Sequence, residues 1–436
     1  MREKLKEIIL DFHAQELPRT TPREMKLESV PGKATICIGV RRCGKTTFLF
    51  QIMEQLQKKG VDRRNMLYMN FFDDRLHALS TTGLGEVTDV YFALYPEKKQ
   101  EKVYCFFDEI QLFPGWESFV ERILRTENCA VYISGSSSQL LSAEIATQMR
   151  GRALSWELFP FSFREYLLHT GRPVKSVLSS AERLHVMKAF DEYWEIGGFP
   201  EVASLSKELR IKTHQEYVNS ILFRDLIERH DIAHPKAVVD LARRLIDNAA
   251  SLYTVNALTG YLKALGHRIP KSAVSDYLAW FEESFFLFTT RVYDASLARS
   301  NTNPKKIYAV DHALVTSVAS GILVNGGHLL ENLVFAALRR ERTEVFYYKT
   351  RSGREVDFAV AGEGGAPRLV QVCETVREPK TRKRELAALE EAMTELGIGE
   401  GMIVTRNEEE TIAVEKGTIA VLPAWRFLLT GVAALP

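Results

Sequence analysis

Apolar residues along this chain fall into two patterns. Four short, nearly unbroken runs, at 34–39, 66–71, 103–107 and 130–134, alternate with segments whose apolar residues recur every three or four positions. Such runs, bounded by loops and separated by helical segments, predict buried parallel strands, because crossover helices cover both faces of a parallel sheet. Ahead of them, Leu5, Ile8, Ile9 and Phe12 share one helical face, and the chain then loosens at Pro18 and Pro22. From about 166 to 325 the pattern is mainly helical, and after Asn325-Gly326-Gly327 it returns to mixed strand and helix. The expected division is therefore an α/β core with an N-terminal helix at 1–165, a helical lid at 166–235, and two further domains at 236–325 and 326–436. No internal repeat or low-complexity tract supports a solenoid or coiled coil.

Composition narrows this only slightly. With 436 residues, 46% of them hydrophobic and 26% charged, the chain can bury sizeable cores and is not disordered. Lys plus Arg number 57 against 56 Asp plus Glu, which excludes a polybasic, histone-like protein but not local basic faces. Five cysteines (Cys37, Cys43, Cys105, Cys129, Cys373) never form CxxC, so neither a disulfide framework nor a structural zinc is expected, and a reducing cytosol fits. The sequence has no apolar leader and no apolar run of about 18 residues, so the expectation is a cytoplasmic protein without a membrane partner.

The strongest chemical signal is Gly39-Val40-Arg41-Arg42-Cys43-Gly44-Lys45-Thr46-Thr47, which follows the first apolar run and opens the helical stretch Phe48 to Lys58. Glycines let such a loop wrap until backbone N–H groups point inward, and the helix presents its positive N-terminus to phosphates. Gly39, Arg41, Arg42, Gly44, Lys45, Thr46 and Thr47 are thus the expected nucleotide-binding residues. Lys45 would neutralise the β- and γ-phosphates of ATP, and Thr46 would offer its hydroxyl to Mg²⁺. The alternative is a glycine turn that merely precedes Lys-Thr. The strand at 103–107 ends in Asp108-Glu109, where Asp108 is the expected Mg²⁺ partner and Glu109 the base that polarises water. By itself such a pair could equally cap a helix. The run at 130–134 leads into Ser134-Gly135-Ser136-Ser137-Ser138, from which Ser136 is taken as a catalytic candidate beside the γ-phosphate, helix capping being the rival use. Arg150 and Arg152 are candidates for a transition-state arginine, supplied in cis or to a neighbouring subunit, and the rival fate of each is solvation.

These motifs, with Phe107-Asp108-Glu109-Ile110-Gln111, Leu158 to Tyr166, Ile196-Gly197-Gly198-Phe199-Pro200 and Leu222-Phe223-Arg224-Asp225, resemble a large group of prokaryotic AAA-superfamily ATPases. The resemblance spans nearly the whole chain. It implies an α/β fold with a P-loop AAA-type ATPase core and helical lid. A winged helix-turn-helix and a restriction-endonuclease-like α/β domain would follow. It also implies a homo-oligomer, with a hexameric ring in which a neighbour's arginine completes the site.

The second half suggests a partner. Helices are expected at Ala237–Asn248 and Val255–Leu265, and a third carries Val274, Tyr277, Leu278 and Phe281 on one face and Lys271, Ser272, Ser275 and Asp276 on the other. Apolar runs Phe285 to Phe288 and Lys306 to Val310 would form a wing, and helix–break–helix before two strands fits a DNA-reading module. Residues 254–310 hold seven Lys or Arg against four Asp or Glu, an excess suited to phosphate contact, and packing or oligomerisation is the competing use. In the tail, Glu331, Asp357 and the strand Arg368 to Cys373 resemble the PD-(D/E)xK nuclease core. Gln371 stands where the second carboxylate belongs and Cys373 where the lysine belongs, so hydrolysis by the tail is not expected. Glu374 faces the opposite way on the strand. Lys349, Arg351, Arg354 and the run Arg382-Lys383-Arg384 could still hold DNA, or form a solvated face. The expected function is an ATP-hydrolysing ATPase that binds or remodels double-stranded or branched DNA. The alternative is a nucleotide-gated signalling ATPase acting on protein partners.

Overall fold

The computed structural model describes residues 1–136, 149, 151–175, 178–319, 325–362 and 365–431. Contacts divide the chain into two compact units, residues 1–159 and 160–436.

In the first unit the apolar runs form strands β1 (Ala34–Gly39), β2 (Met66–Asn70), β3 (Val103–Asp108) and β4 (Cys129–Ser136). A fifth, β5 (Ala153–Glu157), completes a sheet in the order β2-β3-β4-β1-β5 with every pairing parallel. All six residues of β1 are buried, as a strand covered on both faces requires. Register then fixes the functional edge: Gly39 lies opposite Ser136, and Asp108 opposite both Ser134 and Asn70. Helix α1 (Arg2–Ala14) buries Leu5, Ile8, Ile9 and Phe12, and α2 (Lys45–Lys58) follows the loop after β1.

The second unit is helical to about residue 283 and is completed by a large sheet. Helices α3 (Pro235–Asp247), α4 (Val255–Ala264) and α5 (Lys271–Glu283) precede most of its strands. On α5, Val274, Tyr277, Leu278 and Phe281 are buried, while Lys271, Ser272, Ser275 and Asp276 are exposed. The sheet takes in β6 (Leu252–Tyr253), β7 (Leu287–Val292), β8 (Lys305–Ala309), β9 (Val345–Lys349), β10 (Glu355–Ala361), β11 (Pro367–Val372), β12 (Glu400–Thr405), β13 (Glu410–Val414) and β14 (Gly417–Pro423). Its order is β13-β14-β12-β11-β10-β9-β7-β8-β6. The strands expected as a wing, β7 and β8, do pair antiparallel, but β7 also runs parallel to β9, so they belong to the same sheet as the tail. Helices α6 (Gly326–Glu341) and α7 (Pro379–Leu396) pack on this sheet. Buried Asn332 of α6 accepts from the Ala309 N–H at 2.8 Å and donates to its carbonyl at 3.0 Å, satisfying a strand edge with a side-chain amide. Among the described residues no helix is long and apolar enough to cross a membrane.

The Gly197-Gly198-Phe199-Pro200 stretch acquires a mechanical reason. The Phe161 N–H donates to the Gly198 carbonyl at 2.6 Å, and the Gly198 N–H donates to Asp311 Oδ2 at 2.7 Å. A Cβ at 198 would strike the Phe161 carbonyl oxygen. Gly198→Ala should therefore cost about 1–3 kcal/mol, the usual penalty of overpacking. Gly260→Ala, on an exposed helix position with open space around it, should gain up to about 1 kcal/mol. Urea unfolding of the two variants checks both signs, and equal effects would remove the steric explanation.

Candidate functional site

Three strand ends bring the site together. After β1 the chain turns through Arg42 at φ 65° and Gly44 at φ 98°, both left-handed, before α2 begins. Gly44 takes this conformation without strain, whereas a β-branched or bulky residue would not. A Cβ at Gly39 would collide with the Leu158 carbonyl oxygen, so the start of the loop is also closed to larger residues. The first N–H groups of α2 lack helical partners and leave partial positive charge at the loop. Lys45 is buried, and its ammonium donates to the carbonyls of Gly39 at 3.0 Å and Val40 at 2.9 Å, which fixes a full charge over the loop.

The end of β3 supplies the acids. Thr46 Oγ1 donates to Asp108 Oδ2 at 2.7 Å, Ser134 Oγ donates to Asp108 Oδ1, and Tyr68 OH reaches Oδ2 at 3.5 Å. Asp108 is 2% exposed. Burial pushes its carboxyl above the ordinary aspartate value, while Ser134, Thr46 and the Lys45 charge oppose the shift. Glu109 is half-buried and sits at φ 56°, a left-handed conformation that turns its side chain out of the strand line. Burial raises its carboxyl as well, and the charges of Lys45 and Arg41 pull the other way. Gln111 donates from Nε2 to Glu109 Oε2 at 2.5 Å and so orients it. A buried carboxylate beside a hydroxyl on a phosphate-binding loop is the hard oxygen donor set that Mg²⁺ takes together with phosphate oxygens, so Thr46 and Asp108 fit that ion.

Among the residues expected from sequence, Gly39, Arg41, Arg42, Gly44, Lys45, Thr46 and Thr47 form the loop and the first turn of α2, and Asp108 and Glu109 meet it. Thr47 is exposed. Arg152, expected to act in cis or on a neighbouring subunit, directly precedes β5, and Ala153 pairs with Ala34, at the opposite end of β1 from Gly39. Five residue steps separate these ends, about 16 Å, longer than an arginine side chain, which speaks against the in-cis alternative for Arg152. Arg150 and the Ser136 side chain lie outside the described residues, and the Ser136 backbone is placed beside Gly39. The serine seen to reach the acid is Ser134.

The motif Phe107 to Gln111 contains Gln111 without giving it a role, and sequence patterns alone do not reveal Tyr68 or Arg23. Arg23 donates from Nη1 to the Cys43 carbonyl at 2.9 Å and from Nη2 to the Phe159 carbonyl, bracing the loop from behind. Its partners are main-chain carbonyls distant in sequence, which leave no motif to find.

In the tail, Glu331, Asp357 and Gln371 are buried together around a cleft of about 1010 Å³, whose lining includes Cys373. Gln371 Nε2 donates to Glu385 Oε2 at 2.8 Å, while burial pushes the Cys373 thiol up to about 12. Glu374 is exposed. The basic residues expected to face DNA divide. Arg354 pairs with Glu391 at 2.7 Å, Arg382 with Glu410 at 2.5 Å and Arg384 with Glu385 at 2.5 Å, with Arg354 and Arg384 still exposed, and Lys349, Arg351 and Lys383 are exposed as well. Lys306, counted as part of a basic surface, is buried and ion-paired, which corrects that reading.

An AAA domain model matches residues 31–167, and two models described as domains of unknown function match 187–322 and 326–427. An uncharacterized protein of Haemophilus influenzae is 31% identical over 325 residues, covering 73% of this chain and 77% of its own length. Among solved structures, the chain is similar to the Walker-type ATPase PABY2304 of Pyrococcus abyssi, at 14% identity and a TM-score of 0.42, covering 73% of this chain and 94% of that one. It is also similar to the Aeropyrum pernix ORC1 protein in complex with DNA, at 15% identity and a TM-score of 0.30, covering 73% and 90%. The uncharacterized protein MJ1544 of Methanocaldococcus jannaschii is 33% identical over 436 residues, which is 97% of this chain and 95% of that protein. The chain belongs to the same family as MJ1544, and its first unit has the AAA-domain P-loop ATPase fold.

Proposed function

We propose that the chain hydrolyses ATP with Mg²⁺ at the edge formed by β1, β3 and β4. One observation carries this: the Lys45 ammonium, the Thr46–Asp108 hydroxyl–carboxylate pair and Glu109 converge on the loop that precedes α2. Lys45 and the N-terminus of α2 hold the phosphate charge. Thr46 and Asp108 would hold Mg²⁺, which would supply Lewis-acid withdrawal of charge from the phosphates. Glu109, held by Gln111, accepts the proton of the attacking water. Arg150 or Arg152 from a neighbouring subunit supplies the transition-state charge, the latter because its own site is out of reach. A homo-oligomer, with a hexamer as the working model, follows from that arrangement.

The second unit is read as a helical lid at 166–235, a winged helix-turn-helix at 236–325 and a metal-silent, nuclease-like tail at 326–436, together binding double-stranded or branched DNA. The exposed polar face of α5 and the exposed Lys349, Arg351 and Lys383 support that reading. A second reading, a nucleotide-gated switch acting on protein, draws support from the arginines of the tail that already pair with Glu391, Glu410 and Glu385.

Lys45→Ala and Glu109→Gln should each lower ATP turnover by about 100-fold or more, with Glu109→Gln still binding nucleotide. Undiminished turnover in Lys45→Ala would remove the site assignment. Because burial raises the Glu109 carboxyl and the base must be ionised, turnover should fall as pH drops through a value above the ordinary 4.5. A rate that stays flat down to pH 4.5 in protein still folded would contradict that role. Turnover measured with linear, forked and four-way DNA separates the two readings of the second unit. Stimulation that declines with salt supports DNA, and neither stimulation nor binding at low salt favours the protein partner.

A further inference from the structure

Lys306 lies on β8, and its side chain lines the tail cleft. It is 2% exposed, and its ammonium reaches Glu355 Oε1 at 2.7 Å, Glu331 Oε1 at 2.8 Å and Asp357 Oδ1 at 2.9 Å. Three carboxylates from α6 and β10 thus converge on one nitrogen. Each of the two buried acids is further fixed: Tyr308 OH donates to Glu331 Oε1 at 2.7 Å, and the Val372 N–H donates to Asp357 Oδ2 at 2.9 Å. Burial works against the charged ammonium, but Asp357, Tyr308, Glu331 and Glu355 more than reverse this and hold it well above the ordinary lysine range. Next to this cluster stand uncharged Gln371, which accepts from the Asp357 N–H at 3.2 Å, and Cys373, with Glu385 beyond them paired to Arg384.

Hard oxygen donors that converge on one cationic point inside a polar cleft have the chemistry of a divalent-cation site. We propose that Lys306 is a built-in cation. Its ammonium holds the seat on Glu331, Glu355 and Asp357 that a divalent ion would otherwise take, so the cleft is complete without metal and becomes a metal site when the ammonium is removed. Among the described residues no group of three or more His, Cys, Asp or Glu side chains is set to hold a metal ion. That is expected of oxygens spread around a nitrogen at 2.7–2.9 Å, because a divalent metal draws its oxygens in to about 2.0–2.6 Å. Burial and the Asp357 charge push the Glu331 carboxyl up to about 8, so near neutral pH Asp357 and Glu355 carry the charge that faces the ammonium, and a dication would balance those two once the nitrogen is gone. The inference stands on this geometry alone and does not depend on the ATPase or the DNA reading.

Mn²⁺ binding to the nucleotide-free full chain, read by loss of the free-ion EPR signal, tests it. The unaltered chain should bind no Mn²⁺ that Asp357→Asn removes. Lys306→Met, of similar length but neutral, should melt lower, gain about one Mn²⁺ per chain and regain thermal stability when Mn²⁺ is added, because a metal that binds only the folded state stabilises it. Adding Asp357→Asn to that variant should abolish the gain. Asp357-dependent Mn²⁺ binding by the unaltered chain, or no Mn²⁺ binding by folded Lys306→Met, overturns the proposal. If Lys306→Met does not stay folded, refolding it with and without Mn²⁺ takes the place of the binding measurement. Recovery only with Mn²⁺ supports the seat, and failure in Mn²⁺ contradicts it.

Discussion

The hydrogen bond from Thr46 to Asp108, 2.7 Å long, is the contact on which the first unit turns. It joins the first turn of α2 to the end of β3, two strands away from β1 in the sheet. It can form only if all the strands run parallel and in register, since a one-residue slip would turn Asp108 to the other face. Everything else at the edge is arranged around that carboxylate. Ser134 from β4 and Tyr68 from β2 reach it from either side, and Glu109 leaves the strand in a left-handed turn immediately after it. A carboxylate this deeply buried disfavours its charged form. The hydroxyls and the Lys45 charge offset part of that cost, and phosphate-bound Mg²⁺ would offset more.

Most of this edge was legible in the sequence because parallel strands covered on both faces leave unbroken apolar runs, and because the loop and its acids sit where such runs end. β5 was not legible. Its residues Ala153 to Glu157 are only half-buried or exposed, so no apolar run marks it. For the same reason the position of Arg152 could not be read, and only the pairing of Ala153 with Ala34 shows which end of the sheet it occupies. Ser134 and Ser136 look alike in a serine-rich stretch, and only register assigns Ser134 to Asp108. Tyr68 and Arg23 act through partners far along the chain.

In the second unit, charge was the misleading signal. A lysine at the start of a strand reads as solvent-facing, and Lys306 counted towards a basic surface. The fold instead brings it to Glu331, Glu355 and Asp357, which lie 25 to 51 residues further on. Because Lys306 is on β8 and those carboxylates are on α6 and β10, the two segments matched by separate domain models share one electrostatic cluster as well as one sheet. Apolar runs marked β7, β8 and β11 one at a time. Their merging into one sheet of nine strands depends on β7 pairing with β9, a contact that local periodicity does not encode.

The central claim is that Thr46 and Asp108 form the metal-holding half of a nucleotide site and Lys45 the phosphate-holding half. Calorimetric titration of ATP, with and without Mg²⁺, tests it directly. In the unaltered chain Mg²⁺ should tighten ATP binding. Asp108→Ala should lose that increment while keeping metal-free affinity, and Lys45→Ala should lose affinity in both conditions. A Mg²⁺ increment that survives in Asp108→Ala would contradict the claim.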